Sequence, residues 1–121
     1  MLKNIEIGYL LDFYGEFLTE HQRIYLDLYY NQDLSLAEIG ETEGISRQGV
    51  HDALKRGENT LYEMEDRLGL MARYIKISAK LLVLREQIER LDVTEQSLAD
   101  KRLVLADIDE ITWIWEEGHG V

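Results

Sequence analysis

The chain has 121 residues, a formal net charge of −11 and no cysteine or proline. This length fits one domain, or one small domain with an appendage. The lack of cysteine excludes disulfides, thiolate metal sites and thiol nucleophiles, and it fits the cytoplasmic localisation that we expect. Glu6 and Asp12 interrupt the first apolar run, so we expect no signal peptide. No apolar run approaches the ~20 residues of a membrane helix.

Helical periodicity runs along the whole chain and predicts an all-α fold. Thr19 and Gln22 make a capping box that opens a second helix, which we expect to reach about Tyr30 before the polar residues 31–33 end it. Before it, a first helix is predicted over residues 5–17. Its apolar face comprises Ile5, Tyr9, Leu10, Phe13 and Phe17.

Residues 35–56 read SLAEIGETEGISRQGVHDALKR and have the spacing of a helix-turn-helix. Ser35 and Glu38 form another capping box, which predicts that a helix starts there. Glycine is unfavourable inside a helix, so Gly40 predicts the close approach of a second helix. Gly44 then supplies a turn residue that can adopt a positive φ.

The second helix of this motif is predicted to begin at Ser46 as N-cap, although Gly49 prevents a full capping box. We expect the helix to run to Leu68 and to end near Gly69. The preceding residue, Ile45, is expected to insert into the core. A plain helical corner without a ligand is the alternative interpretation of the same pattern.

Val50 and Leu54 are four residues apart and are predicted to face inward, which leaves a polar outer face. In a DNA major groove, Arg47 can bind guanine and Gln48 can bind adenine. The basic pair Lys55 and Arg56, nearly three turns along the helix, suits phosphates. Residues 46–57 carry a net charge of only +2, so binding by one copy should be weak and salt-sensitive. The predicted contact residues are Ser46, Arg47, Gln48, His51, Lys55 and Arg56.

The C-terminal part predicts a long helical hairpin. One seam repeats at alternating steps of four and three: Leu70, Tyr74, Ile77, Leu81, Leu84, Ile88 and Leu91. Residues 92–94 connect to a last helix over about 95–116, with Thr94 as N-cap, and the two helices must lie antiparallel. The second seam comprises Val104, Ile108, Ile111 and Trp115.

We therefore expect two domains, a helix-turn-helix bundle at 1–69 and the hairpin at 70–121, which would serve as an oligomerisation element. Neither hairpin helix can bury all of its apolar residues on the other. We infer a homodimer or another homo-oligomer. The alternative is that the hairpin folds back on the N-terminal domain.

Aromatic residues recur in the predicted helices. The tyrosines predict core packing with their hydroxyls at the rim, and a base-stacking platform for RNA is the alternative. Trp113 and Trp115 are placed on opposite sides of the last helix, so we expect at least one to be exposed or buried in a partner. The tyrosines of this series are Tyr9, Tyr14, Tyr25, Tyr29 and Tyr30.

The segment ISRQGVHDALKRGENTL resembles sigma-factor region 4. More broadly, LLDFYGEFLTEHQRIYLDLYYNQDLSLAEI, ISRQGVHDALKR and the leucine-rich hairpin together resemble the YlxM family of helix-turn-helix proteins, over essentially the whole chain. The resemblance implies a link to the bacterial signal recognition particle pathway, and it carries over no catalytic residue. It places the six predicted contact residues in a recognition helix.

The favoured function is a DNA-binding regulatory protein. The alternative is an adaptor that binds the RNA or the protein of the signal recognition particle and does not read DNA. We expect neither catalysis nor a cofactor, because phosphate-binding glycine motifs and a Ser-His-Asp order are absent. His21, His51 and His119 lack metal-ligand spacing. We also expect no complete sigma factor, because no segment remains for a polymerase-clamp domain.

Overall fold

The computed structural model describes residues 1–117. Contacts divide the chain into two compact units, Met1–Met71 and Ala72–Val121. The described residues form helices and no strand, which confirms the all-α prediction. The six α-helices are α1 (Lys3–Tyr14), α2 (Glu20–Leu26), α3 (Leu36–Glu43), α4 (Arg47–Leu68), α5 (Leu70–Glu89) and α6 (Glu95–Glu117).

Both predicted capping boxes are present. The Gln22 N–H donates to Thr19 Oγ1 at 3.2 Å, and the Thr19 N–H donates to Gln22 Oε1 at 3.1 Å. Ser35 and Glu38 make the same reciprocal pair, so α2 and α3 begin where the sequence predicts. After α2 the chain continues through a π-helical turn, Asp27–Asn31, before α3.

The core of residues 1–71 forms where α1, α2 and α3 pack on one face of α4. At Gly57 of α4, a Cβ atom would lie 2.9 Å from Cδ1 of the fully buried Leu26 of α2. A side chain at residue 57 would therefore require Leu26 to shift where these two helices meet. The buried side chains are Ile7, Leu10, Tyr14, Tyr25, Leu26, Ile39, Val50, Leu54 and Leu61.

The predicted apolar face of α1 is partly wrong. Phe17 is 63% exposed and Ile5 is 48% exposed, whereas the buried line is Ile7, Leu10 and Tyr14. The helix ends at Tyr14 and gives way to a 3₁₀ turn, Gly15–Phe17, so the last aromatic residue leaves the helical face. Packing against α4 determines which face of α1 is buried, because the sequence of α1 places apolar residues on more than one face.

Tyrosine hydroxyls at the core rim donate to carboxylates on neighbouring helices. Tyr62 donates to Glu6 Oε2 at 3.0 Å, and Tyr30 donates to Glu58. Burial, and then the bond to Glu6, raise the pKa of Tyr62 to about 12. These bonds tie the N-terminal helices to α4. They agree with the predicted core packing of the tyrosines.

Tyr14 also helps to cap α5. Its hydroxyl donates to Glu65 Oε1 at 2.7 Å and accepts the N–H of Leu70 at 3.0 Å. The same Glu65 oxygen accepts the N–H of Met71 at 2.9 Å. Gly69, with φ of +65°, ends α4 as predicted. The first free N–H groups of α5 are thus satisfied by α1 and α4.

In the second unit, α5 and α6 form the predicted antiparallel hairpin. Trp115 stacks on Tyr74 with ring centroids 5.9 Å apart, and its Nε1–H donates to Ser78 Oγ at 3.2 Å. At the other end, Lys101 Nζ donates to the carbonyl of Glu89 at 2.7 Å. Thr94 is the N-cap of α6, because its Oγ1 accepts the Ser97 N–H at 3.3 Å.

The predicted hairpin seam is partly wrong. Trp115–Ser78 and Arg85–Asp109 bonds fix the rotation of the helices, so the facing line of α5 runs through Tyr74, Ser78, Leu81, Arg85 and Ile88. Several predicted seam residues are consequently exposed by 40–60%. They are Ile77, Leu84, Leu91, Val104 and Ile111. Trp113 is 65% exposed, as expected for one of the two tryptophans.

The tyrosine–carboxylate bonds predict a loss of stability at high pH. An unfolded tyrosine loses its proton near pH 10, whereas folded Tyr62 keeps it to about pH 12. Its contribution is therefore complete below pH 10 and is lost as the pH rises through that window. We expect the free energy of unfolding in urea to fall between about pH 9 and pH 12.

In the Tyr62→Phe variant this fall should be smaller by about 1 kcal/mol, and stability at neutral pH should drop by a similar amount. Both proteins should be unfolded in urea at each pH and followed by circular dichroism. If the free energy of unfolding changed with pH identically in both proteins, the ionisation of Tyr62 would not be coupled to folding.

Candidate nucleic-acid interface

A tight turn, Gly44–Ser46, joins α3 to α4. Gly44 adopts a φ of +73°, as predicted, and its N–H donates to the carbonyl of Gly40. The N–H of Ile45 donates to the same carbonyl at 3.0 Å. Gly44 and Ile45 therefore cap the last turn of α3 and also begin the turn towards α4.

Gly40 packs against the backbone of this turn. A Cβ atom at Gly40 would lie 2.7 Å from the carbonyl oxygen of Ile45 and 3.5 Å from the backbone nitrogen of Arg47. The expected close approach is confirmed, but its main partner is the turn backbone and not the side of a second helix. A side chain at this position would push the start of α4 away from α3.

Ile45 does not insert into the core, so that prediction is wrong. The residue is 39% exposed, and its Cδ1 lies 3.6 Å from the position that a Cβ of Gly49 would take. The turn backbone already occupies the space beside Gly40, which leaves the side chain of Ile45 over the first turn of α4. Gly49 makes room for it there.

Helix α4 starts at the predicted N-cap. Ser46 Oγ accepts the N–H of Gly49 at 3.0 Å. Val50 is fully buried and Leu54 is 5% exposed, which fixes the rotation of the helix and confirms their inward orientation. All six predicted contact residues are exposed on the outside of the same helix start: Ser46, Arg47, Gln48, His51, Lys55 and Arg56.

Asp52 lies in the middle of this outer face. Its Oδ1 accepts a hydrogen bond from Gln48 Nε2 at 3.0 Å and lies 3.4 Å from His51 Nδ1. The bond from Gln48, followed by that from His51, lowers the pKa of Asp52. Two of the predicted contact residues, Gln48 and His51, therefore share one carboxylate, which also places a negative charge on the face.

The basic side chains of the face are available to a ligand. Within residues 1–117, Arg47, Lys55 and Arg56 form no salt bridge. Further along α4, by contrast, Arg67 pairs with Glu63 at 3.0 Å. Arg47, His51 and Lys55 are spaced by four residues, so they form one stripe along the helix.

The structure adds residues that the sequence did not indicate. A concavity of about 260 Å³ opens beside His51 and Lys55. Lys3 of α1 lies at its rim, where its Nζ is 3.5 Å from Glu58 and 5.8 Å from the centroid of the Tyr30 ring. No local signal links residue 3 to α4. The lining residues are Lys3, Tyr29, Tyr30, Leu36, His51, Leu54, Lys55 and Glu58.

The remaining histidines do not build a site. Nδ1 of His21 lies 3.4 Å from the Tyr25 hydroxyl, in the first turn of α2. His119 lies outside the described residues. Between residues 1 and 117, no three histidine or acidic side chains come together in a group that could hold a metal ion. Over the same residues, each helix is too short or too polar to span a bilayer.

Comparison with known proteins defines the class. A family model described as "Putative helix-turn-helix protein, YlxM / p13 like" matches residues 1–104. The match includes the α3–α4 turn and the exposed face of α4. The chain belongs to this family, UPF0122. The resemblance to YlxM proteins drawn from the sequence is therefore confirmed.

Relatives from several bacteria match most of the chain. A UPF0122 protein from Acetivibrio thermocellus is 42% identical over 104 residues, which cover 86% of this chain and 89% of the relative. One from Halalkalibacterium halodurans is 43% identical over 97 residues, covering 80% and 89%. One from Clostridium kluyveri is 58% identical over 71 residues, covering 59% and 64%.

The packing at Gly40 predicts a stability difference between two glycines. Gly40→Ala should destabilise the protein by about 1–3 kcal/mol, although alanine favours helices, because its methyl group meets the Ile45 carbonyl. Gly8→Ala in α1 is the matched control, because a Cβ there has only Asn31 Oδ1 nearby, at 3.9 Å. It should stabilise by about 0.5–1 kcal/mol. Urea unfolding measures both, and equal changes would contradict the proposed packing.

Proposed function

We propose that this protein binds duplex DNA through the exposed face of the first three turns of α4. The observation that carries the proposal is the set of three cations, Arg47, Lys55 and Arg56, which form no salt bridge within residues 1–117 and lie on a helix whose opposite side is buried. A helix fixed in this way presents a rigid basic ridge, which suits insertion into a major groove. The chain as a whole repels phosphates, so this local positive charge is needed for binding.

The residues have different roles in this proposal. Arg47, at the start of α4, reaches base edges and can bind guanine through two parallel hydrogen bonds. Gln48 is positioned beside it and can bind adenine once it leaves Asp52. Lys55 and Arg56 contact phosphates two turns further along. Ser46 fixes the helix start, and His51 lies between the base-contacting and phosphate-contacting groups.

The proposed biological role is regulatory. A link to the signal recognition particle rests on the resemblance to YlxM proteins, and it makes the particle's RNA and protein the natural competitors of DNA. Fluorescence anisotropy should compare random duplex DNA, the particle RNA and the particle protein at ~50 and ~200 mM salt. Salt-sensitive binding to DNA supports the proposal. Binding to the particle RNA or protein with DNA inert would overturn it in favour of the adaptor function.

Removal of basic side chains from the face should weaken DNA binding. We expect Arg47→Ala combined with Lys55→Ala to lower affinity roughly tenfold or more and to reduce the salt slope. Arg67→Ala removes a charge from the same helix but beyond the proposed face, where the arginine is paired with Glu63. This control should change affinity less than about twofold. Equal losses would indicate a general charge effect without a defined face.

Removal of the negative charge from the face should strengthen binding. Asp52→Asn keeps a hydrogen-bonding side chain beside Gln48 but eliminates repulsion between a carboxylate and DNA phosphates. We expect affinity for random duplex DNA to rise by roughly threefold to tenfold at low salt, with a smaller rise at high salt. Unchanged affinity in an anisotropy titration would place Asp52 away from the bound DNA.

A further inference from the structure

Both long edges of the α5–α6 hairpin carry exposed aliphatic residues, but in the described part of the chain only the edge that includes Leu82 and Leu98 is closed by ion pairs. On that edge, Arg85 Nε donates to Asp109 Oδ1 at 2.8 Å, and the same guanidinium pairs with Glu89. This polar closure raises the pKa of Arg85 and lowers that of Asp109. The opposite edge, here called the open edge, is apolar and exposed. It consists of Ile77, Leu84, Val104 and Ile111.

The helical repeat places the open-edge residues on one side of the hairpin. From the facing residue Leu81, Ile77 is four residues back and Leu84 is three residues ahead. The same steps lead from the buried Ile108 to Val104 and Ile111. Equal steps on two antiparallel helices lead to the same side, so the two lines make one continuous apolar strip.

We propose that the open edge is covered by the open edge of a second copy of this chain, forming an antiparallel four-helix bundle. The strip and its flanks run along helices about 30 Å long, and two packed helices are about 20 Å wide. A face of that size is in the class of standard interfaces, which bury about 800 Å² per partner. Four exposed aliphatic residues in one strip also exceed the isolated apolar residues of an ordinary surface.

The charges that flank the open edge select how the two copies pair. Arg73 and Lys80 lie beyond the apolar line of α5, and Asp100 and Asp107 lie beyond that of α6. In the part of the chain that the structure describes, none of the four forms a salt bridge. One flank of the strip is thus basic and the other acidic.

A two-fold axis parallel to the helices would place α5 of one copy against α6 of the other. Each basic flank then faces an acidic flank, and every neighbouring pair of helices is antiparallel. A two-fold axis that lies in the interface and runs perpendicular to the helices would instead place α5 against α5 and α6 against α6. Flanks of like charge would then face each other. From the hairpin register, Lys80 and Asp107 of the second copy would lie about 8 Å apart along the bundle, within one Debye length.

The first test is the mass in solution without nucleic acid, measured by sedimentation equilibrium, so the outcome is independent of DNA binding. At micromolar concentration the chain should have twice its monomer mass of 14.2 kDa. Leu84→Glu should raise the dimer dissociation constant by roughly 30-fold or more. Val83→Glu is the matched control, because Val83 is 46% exposed, close to the 44% of Leu84, but points about 100° away. It should leave the constant unchanged.

The second test uses charge reversal and does not depend on core packing. Lys80→Glu alone and Asp107→Lys alone should each weaken the dimer by roughly fivefold to tenfold at low salt. The double variant Lys80→Glu, Asp107→Lys should restore wild-type affinity, because the two charges exchange places. Circular dichroism should show unchanged helix content in all variants.

A monomer at micromolar concentration would overturn the proposal, and so would equal effects of Leu84→Glu and Val83→Glu. If the single charge reversals tightened the dimer, like charges would face each other in the wild-type protein. The open edge would then still be the interface, but the two-fold axis could not run parallel to the helices. If the double variant did not restore the wild-type dissociation constant, the proposed pairing of Lys80 with Asp107 would also be rejected.

Discussion

The buried face of α4 is the constraint on which residues 1–71 depend. Val50, Leu54, Gly57 and Leu61 follow one another at steps of four, three and four, so a single line of contact serves all the helices that precede it. Gly57 lets Leu26 approach to a distance that a larger residue would prevent. Because the core lies on one side of α4, the other side is left to solvent and to a ligand.

Hydrogen bonds at the rim of this core hold the ends of the chain segments in place. Tyr14 connects α1 to Glu65 and to the first N–H group of α5, and Tyr62 connects α4 back to Glu6. Each bond joins residues more than 50 positions apart. The aromatic rings contribute burial, while the hydroxyls fix the orientation of α4 and hence of its basic face.

The acidic composition and the proposed binding of nucleic acid are compatible because charge is unevenly distributed. Most acidic residues lie outside the first turns of α4, where Arg47, Lys55 and Arg56 are exposed. Only Asp52 interrupts that face. In the hairpin, Arg85 binds carboxylates on one edge, and the other edge carries an apolar strip with opposite charges on its two flanks.

Local interactions made the helix starts and ends predictable. The caps at Thr19, Ser35 and Ser46 and the positive-φ glycines act over only a few residues, so the sequence determined them. It also determined the six exposed positions of α4, because Val50 and Leu54 define the inner side. Tertiary packing decided the buried face of α1, the exposure of Ile45, the rotation of the hairpin helices and the arrival of Lys3 beside α4. These depend on contacts between distant segments, which no local pattern encodes.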